Sequence, residues 1–144
     1  MNKEVNVFKY VIIFSTIYLL SAIILNVILD FLEFSKISIA IVPLLGAAFF
    51  TIITFLHNHK RLPTKSEEAK LVSFSIIASL LIKIVLSIAF LFSISEQFSL
   101  QSGMIPLLTL LIAFEITLDA GCLSFIYGFI AETRFDSLKK RGLI

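Results

Sequence analysis

Residues Tyr10–Leu29 read YVIIFSTIYLLSAIILNVIL, 20 positions without a charge. A helix needs ~20 apolar residues to cross the ~30 Å hydrocarbon core of a bilayer. Ile37–Leu56 repeats the pattern over another 20 positions. Leu71–Ser95 runs for 25 with one charge, Lys83, and Ile105–Ile130 for 26 with two, Glu115 and Asp119. These runs predict an all-α membrane protein, four transmembrane helices in an antiparallel bundle. The composition agrees. The chain is 58% apolar and 15% charged, with a mean hydropathy of +1.03; soluble domains run near ~45–50% and ~25%. No piece between spans exceeds 14 residues, so 1–144 reads as a single four-helix transmembrane domain. The first run is longer than the ~7–15-residue core of a signal peptide, and Asn26–Leu29 is a poor cleavage site. It reads as an uncleaved anchor.

Lys and Arg in short loops set orientation. Lys3, Lys9, Lys60, Arg61, Lys65, Lys70, Arg134, Lys139, Lys140 and Arg141 fall on one side, and only Lys36 on the other. That bias predicts both termini and the middle loop in the cytoplasm, with Asp30, Glu33 and Glu96 facing outward. The net charge of +2 then reflects orientation, and a nucleic-acid partner is not expected.

The middle loop, His57–Lys70, has a grammar of its own. Pro63 closes a turn, and Thr64 with Glu67 has the T-x-x-E spacing of a capping box. Helix three should therefore start near Lys65, with Glu67 and Glu68 in its favourable first turn. His57 and His59 form an H-x-H pair. A metal would need further ligands; Cys122 lies in helix four and there is no third histidine. Two solvated loop histidines, no metal and no cofactor are expected. Cys122 reads as a small apolar filler.

Polar and small residues inside the spans recur at helical steps. They are Ser15, Tyr18, Ala22 and Asn26 in span one; Ala40, Pro43, Ala47, Thr51 and Thr54 in span two, with Gly46 alongside; and Ser79, Lys83 and Ser87 in span three. Lys83, Glu115 and Asp119 lie at membrane depth, where a charge costs ~2.5–3.5 kcal/mol even on insertion scales. At ~1.5 Å per residue, all three fall at similar levels, and Glu115 and Asp119 share a helix face. One cluster, Lys83–Glu115–Asp119, is expected, with Tyr18, Asn26, Ser79 and Ser87 as hydrogen-bonding neighbours. One cation against two carboxylates leaves an excess negative charge, which a proton or a visiting cation would neutralise. The cluster reads either as a structural lock between helices three and four or as a proton or cation site.

Thr117, Gly121, Ser124 and Gly128 recur at steps of 4, 3 and 4, opposite the carboxylates. Small residues let membrane helices approach closely. This stripe predicts a contact with a second copy or with another membrane protein, besides the lipid bilayer. In the tail, Phe135 and Leu138 are expected to dip into the interface, with Lys139, Lys140 and Arg141 near acidic headgroups.

The stretch Phe55–Glu68, FLHNHKRLPTKSEE, together with the four-span layout, resembles an uncharacterised family of small bacterial inner-membrane proteins. There a basic stretch and a Pro-Thr-Lys-x-Glu-type turn introduce the third span. The resemblance implies a four-span fold in the bacterial inner membrane and transfers no activity. The layout is also similar to that of small multidrug transporters, which are dimeric and proton-coupled through a glutamate in the first span. Tyr10–Leu29 has no such glutamate. No nucleophile–base pair, Gly-rich phosphate loop or CxxC points to an enzyme. The sequence thus predicts a non-enzymatic binding, accessory or immunity-type membrane component. The alternative is a small proton- or cation-coupled transporter using the Lys/Glu/Asp cluster.

Overall fold

The computed structural model describes residues 5–31, 41–93 and 104–142. Among these the chain is helical, with no strand. Helix α1 is Val7–Phe31, α2 Ile41–His59, α3 Lys65–Ser93 and α4 Met104–Phe125. A π turn, Ile126–Ile130, carries α4 into α5, Ala131–Lys140. Four helices are long and apolar enough to cross a membrane. Glu33, Lys36 and Glu96, residues 37–40 of span two and residues 94–95 of span three lie outside the described residues.

Helix α1 packs on α2 and α3, α4 lies against α3, and the π turn reaches both α2 and α3. The polar contacts show which ends meet. The Tyr10 hydroxyl near the start of α1 is 2.9 Å from His59 Nε2 at the end of α2. The Val5 N–H donates to Glu67 at the start of α3, at 3.3 Å. Glu68 lies against Gly128 in the π turn. The start of α1, the end of α2, the start of α3 and the π turn therefore gather at one end of the molecule.

The best-packed side chains lie towards that end. Tyr10, Phe14, Phe55, Leu56, Leu71, Leu123 and Tyr127 are buried. Tyr10 and Phe55 meet at 5.1 Å between ring centroids, and Phe14 stacks on Tyr18 at 5.8 Å. Pro43, Ala47 and Thr51 of α2 are buried, and their small or hydroxyl side chains keep the neighbouring helices close. Gly46 is exposed, and a Cβ there would meet nothing within 4 Å. It lies outside the packed face it was expected to share. Towards the other end, burial thins on three helices. No described side chain of residues 23–28, 81–86 or 109–118 is buried.

The entry to α3 follows from its capping box. The Thr64 N–H donates to Glu67 Oε2 at 2.8 Å, and the Glu67 N–H donates to Thr64 Oγ1 at 3.3 Å. Both contacts satisfy N–H groups that a helix start leaves open. Arg61 then grips the same carboxylate with two N–H groups, at 2.8 and 2.7 Å. To deliver Arg61, the chain turns sharply after α2, with Lys60 in the left-handed region at φ 51°. That conformation costs a residue bearing a Cβ about 1–2 kcal/mol.

Two expectations change at the helix ends. Helix α2 extends past the apolar run to His59, so both histidines sit on its last turn and not in a loop. The tail is helical through Lys140, and Phe135 and Leu138 pack against the core and not into an interface. Arg134 lies 5.1 Å over the ring of Phe49, pinning α5 to α2.

Glu67 stands four residues before the apolar run that begins at Leu71. The Arg61 guanidinium, helped by the Thr64 and Val5 N–H groups, outweighs burial and holds its carboxyl down at about 2, from 4.5. A depressed carboxyl stabilises fully above its unfolded value and loses that contribution as pH falls through its folded value. The stability gap between wild type and Glu67→Gln should therefore be constant above pH 4.5 and close between 4.5 and about 2, as read by thermal unfolding in detergent. Thr64→Ala should cost about 1 kcal/mol in the same assay.

Candidate functional site

Lys83 projects from α3 between two carboxylates of α4. Its Nζ lies 2.7 Å from Asp119 Oδ2 and 2.8 Å from Glu115 Oε1. The i, i+4 spacing on α4 puts the two acids one turn apart on the same face, so one ammonium reaches both. Their surroundings differ. The side chains are 18% exposed for Lys83 and 5% for Asp119, but 45% for Glu115. Removing an ion from water costs several kcal/mol, offset only by a partner in good geometry. Lys83 and Asp119 meet that condition together. Glu115 completes the cluster from its margin.

The expected neighbours divide. Ser79, one turn before Lys83, is buried; its hydroxyl donates to the Ile76 carbonyl at 2.9 Å and approaches Asp119 Oδ2 at 3.4 Å. Tyr18 of α1 is buried within electrostatic range of Lys83, Asp119 and Glu115. Asn26 is exposed, and its amide donates back to the Ala22 carbonyl of its own helix at 2.8 Å. The carbonyl four residues back is nearer than the cluster, so Asn26 is not one of its partners. The side chain of Ser87 lies outside the described residues.

The small-residue line on α4 splits. Thr117, Gly121 and Ser124 are exposed, and a Cβ at Gly121 would meet nothing within 4 Å. Gly128 is half-buried, and a Cβ there would come within 2.9 Å of Glu68 Oε1. The π turn explains the split. Its wider turn holds an extra residue, so positions after Phe125 fall out of step with the α-helical face. Gly128 serves contact with α3 inside the chain, and only the other three face outward.

Two polar groups not singled out from the sequence tie helices together. Tyr127, fully buried in the π turn, has its hydroxyl 3.1 Å from Ser75 Oγ and also interacts with Thr51. It joins α4 to α3 and α2. Tyr10 receives a hydrogen bond from Asn58 Nδ2 at 3.2 Å beside its contact with His59. His59 is thus half-buried against Tyr10 rather than solvated, while His57 is exposed. Thr51 on the polar face of span two, and Ser75 one turn before Ser79 in span three, were the available signal for the first group. The second required knowing that α2 outlasts its apolar run.

No family model, no curated protein and no solved structure matches this chain.

The geometry ranks three substitutions. Lys83→Met should destabilise most, by about 3–5 kcal/mol, because it leaves a sealed Asp119 without its cation. Asp119→Asn should cost less, since Glu115 still holds Lys83, and Glu115→Gln least. Unfolding in mixed micelles measures the order; equal losses for Lys83→Met and Glu115→Gln would contradict it. Gly128→Leu should cost about 1–3 kcal/mol through overpacking against Glu68. Gly121→Leu should leave the monomer's stability unchanged and weaken only an association that uses the outward face.

Proposed function

We propose that this chain is a multi-pass protein of the bacterial inner membrane that works without catalysis, by binding another membrane component as an accessory or immunity-type subunit. Four apolar helices support the membrane setting. The bias of Lys and Arg supports an antiparallel bundle with both termini in the cytoplasm. Lys9, Lys60, Arg61, Lys65 and Lys70 all belong to the end where the start of α1, the end of α2 and the start of α3 gather.

The observation that carries the binding reading is the difference between the two carboxylates. Asp119 and Lys83 form a closed pair, as a lock between helices requires. Glu115 leaves nearly half of its side chain uncovered, among the exposed apolar residues Ile112, Phe114 and Leu118. An acid facing hydrocarbon is costly, and cover from another protein removes that cost. A second reading, proton- or cation-coupled transport, draws on the same cluster, because one ammonium leaves one negative charge unbalanced.

Flux separates the two. The full chain is reconstituted in liposomes with an internal pH dye, and gradients of both signs are imposed, with protons alone and with Na⁺ or K⁺ present. The binding reading expects no flux above empty liposomes. Flux that disappears in Glu115→Gln with Asp119→Asn would establish transport instead.

A further inference from the structure

We propose that the ridge Ile112–Glu115–Leu118 of α4 docks a transmembrane helix of a different protein, one that carries a single lysine or arginine at matching depth. This rests on the binding reading above and names the partner's chemistry.

The ridge lies in a stretch of α4 that the other described residues leave uncovered. Ile112 and Leu118 are 46% and 45% exposed, and no described side chain of residues 109–118 is buried. The Lys83–Glu115–Asp119 cluster holds one positive and two negative groups, so its uncompensated charge is negative. Asp119 is enclosed, which leaves Glu115 as the acid an outside group can reach.

Depth narrows the occupant. Glu115 stands 11 residues from Met104 and 13 from Gly128, or about 16 and 20 Å along the helix at ~1.5 Å per residue. Lipid headgroups and water lie near those ends, and acyl chains offer a carboxylate nothing. A second copy fits poorly. Two-fold pairing of identical ridges would set Glu115 against Glu115, and Lys83 already holds two carboxylates below 3 Å. A helix with one cation supplies both missing parts, apolar cover for Ile112 and Leu118 and a counter-charge for Glu115. The partner's cation in turn gains an acid in a region where an unpaired charge is costly.

The experiment uses the full chain in liposomes, labelled with a donor fluorophore at its C-terminus. Acceptor-labelled poly-leucine helices are added that differ only at their central residue: Lys, Leu, Gln or Glu. Energy transfer to the Lys helix should reach half-saturation at a peptide-to-lipid ratio about five-fold or more below that of the Leu helix. Glu115→Gln should abolish that preference while the protein stays folded, because Lys83 keeps Asp119; its unfolding curve checks this. Val27→Ala, on an exposed position of α1, should leave the preference intact. Equal transfer to the Lys and Leu helices overturns the proposal, as does a preference that survives Glu115→Gln. A Gln helix that matches the Lys helix, or stronger transfer between two labelled copies of this chain, overturns it in favour of neutral hydrogen bonding or self-association. None of these outcomes depends on flux, so the docking proposal can fail while the binding reading stands.

Discussion

Lys83 is held at 2.7 Å by Asp119 and at 2.8 Å by Glu115, and the arrangement of α3 and α4 turns on that ammonium. A salt bridge taken out of water is weak evidence of net stability, because desolvation consumes much of the attraction. Its stronger effect is on uniqueness. Helix surfaces as apolar as these can slide or rotate past one another at little cost. A cation that must meet two acids fixes both the level and the rotation of one helix on the other. Tyr127 adds a second fixed point near the gathered end, with its hydroxyl 3.1 Å from Ser75. Two points a few turns apart define a helix pair far better than apolar packing does.

The gathered end is built differently from the rest. There Tyr10 meets His59 and Asn58, and the Val5 N–H meets Glu67, across segments distant in sequence, while the capping box and the two-pronged Arg61 contact fix the local turn into α3. Beyond Lys83 the described side chains of α1, α3 and α4 are exposed or half-buried. Among the described residues, long-range polar contacts concentrate towards the gathered end. Apolar side chains facing lipid have no hydrophobic reason to turn inward, and only close packing or polar contacts draw membrane helices together.

That same physics decides what could be read from the sequence. Span number came from length and hydropathy. The start of α3 came from Thr64 and Glu67, because a capping box is local. Lys83, Glu115 and Asp119 could be set at one level because rise per residue is constant along an α-helix. The small-residue line fails at Gly128 because that glycine sits inside the π turn, and nothing in IYGFI announces one. Asn26 shares a sequence face with Tyr18, yet its amide finds the Ala22 carbonyl one turn back. The apolar run ends at Leu56 and suggests a loop at His57 and His59, whereas the hydrogen-bonded helix continues until the turn at Lys60.

Asp119 and Glu115 are nearly the same chemical group one helical turn apart, and the fold gives them unlike surroundings. Asp119 lies under Ser79 with Tyr18 close by, where burial is still continuous. Glu115 lies one turn further from the gathered end, where no described side chain of residues 109–118 is buried. A lock needs only one acid opposite Lys83. The second makes the cluster negative and leaves that charge on the uncovered side. Glu115 joins the lock through Oε1, 2.8 Å from Lys83 Nζ, and leaves nearly half of its side chain uncovered. The same cluster therefore has an enclosed member, Asp119, and a half-uncovered one, Glu115.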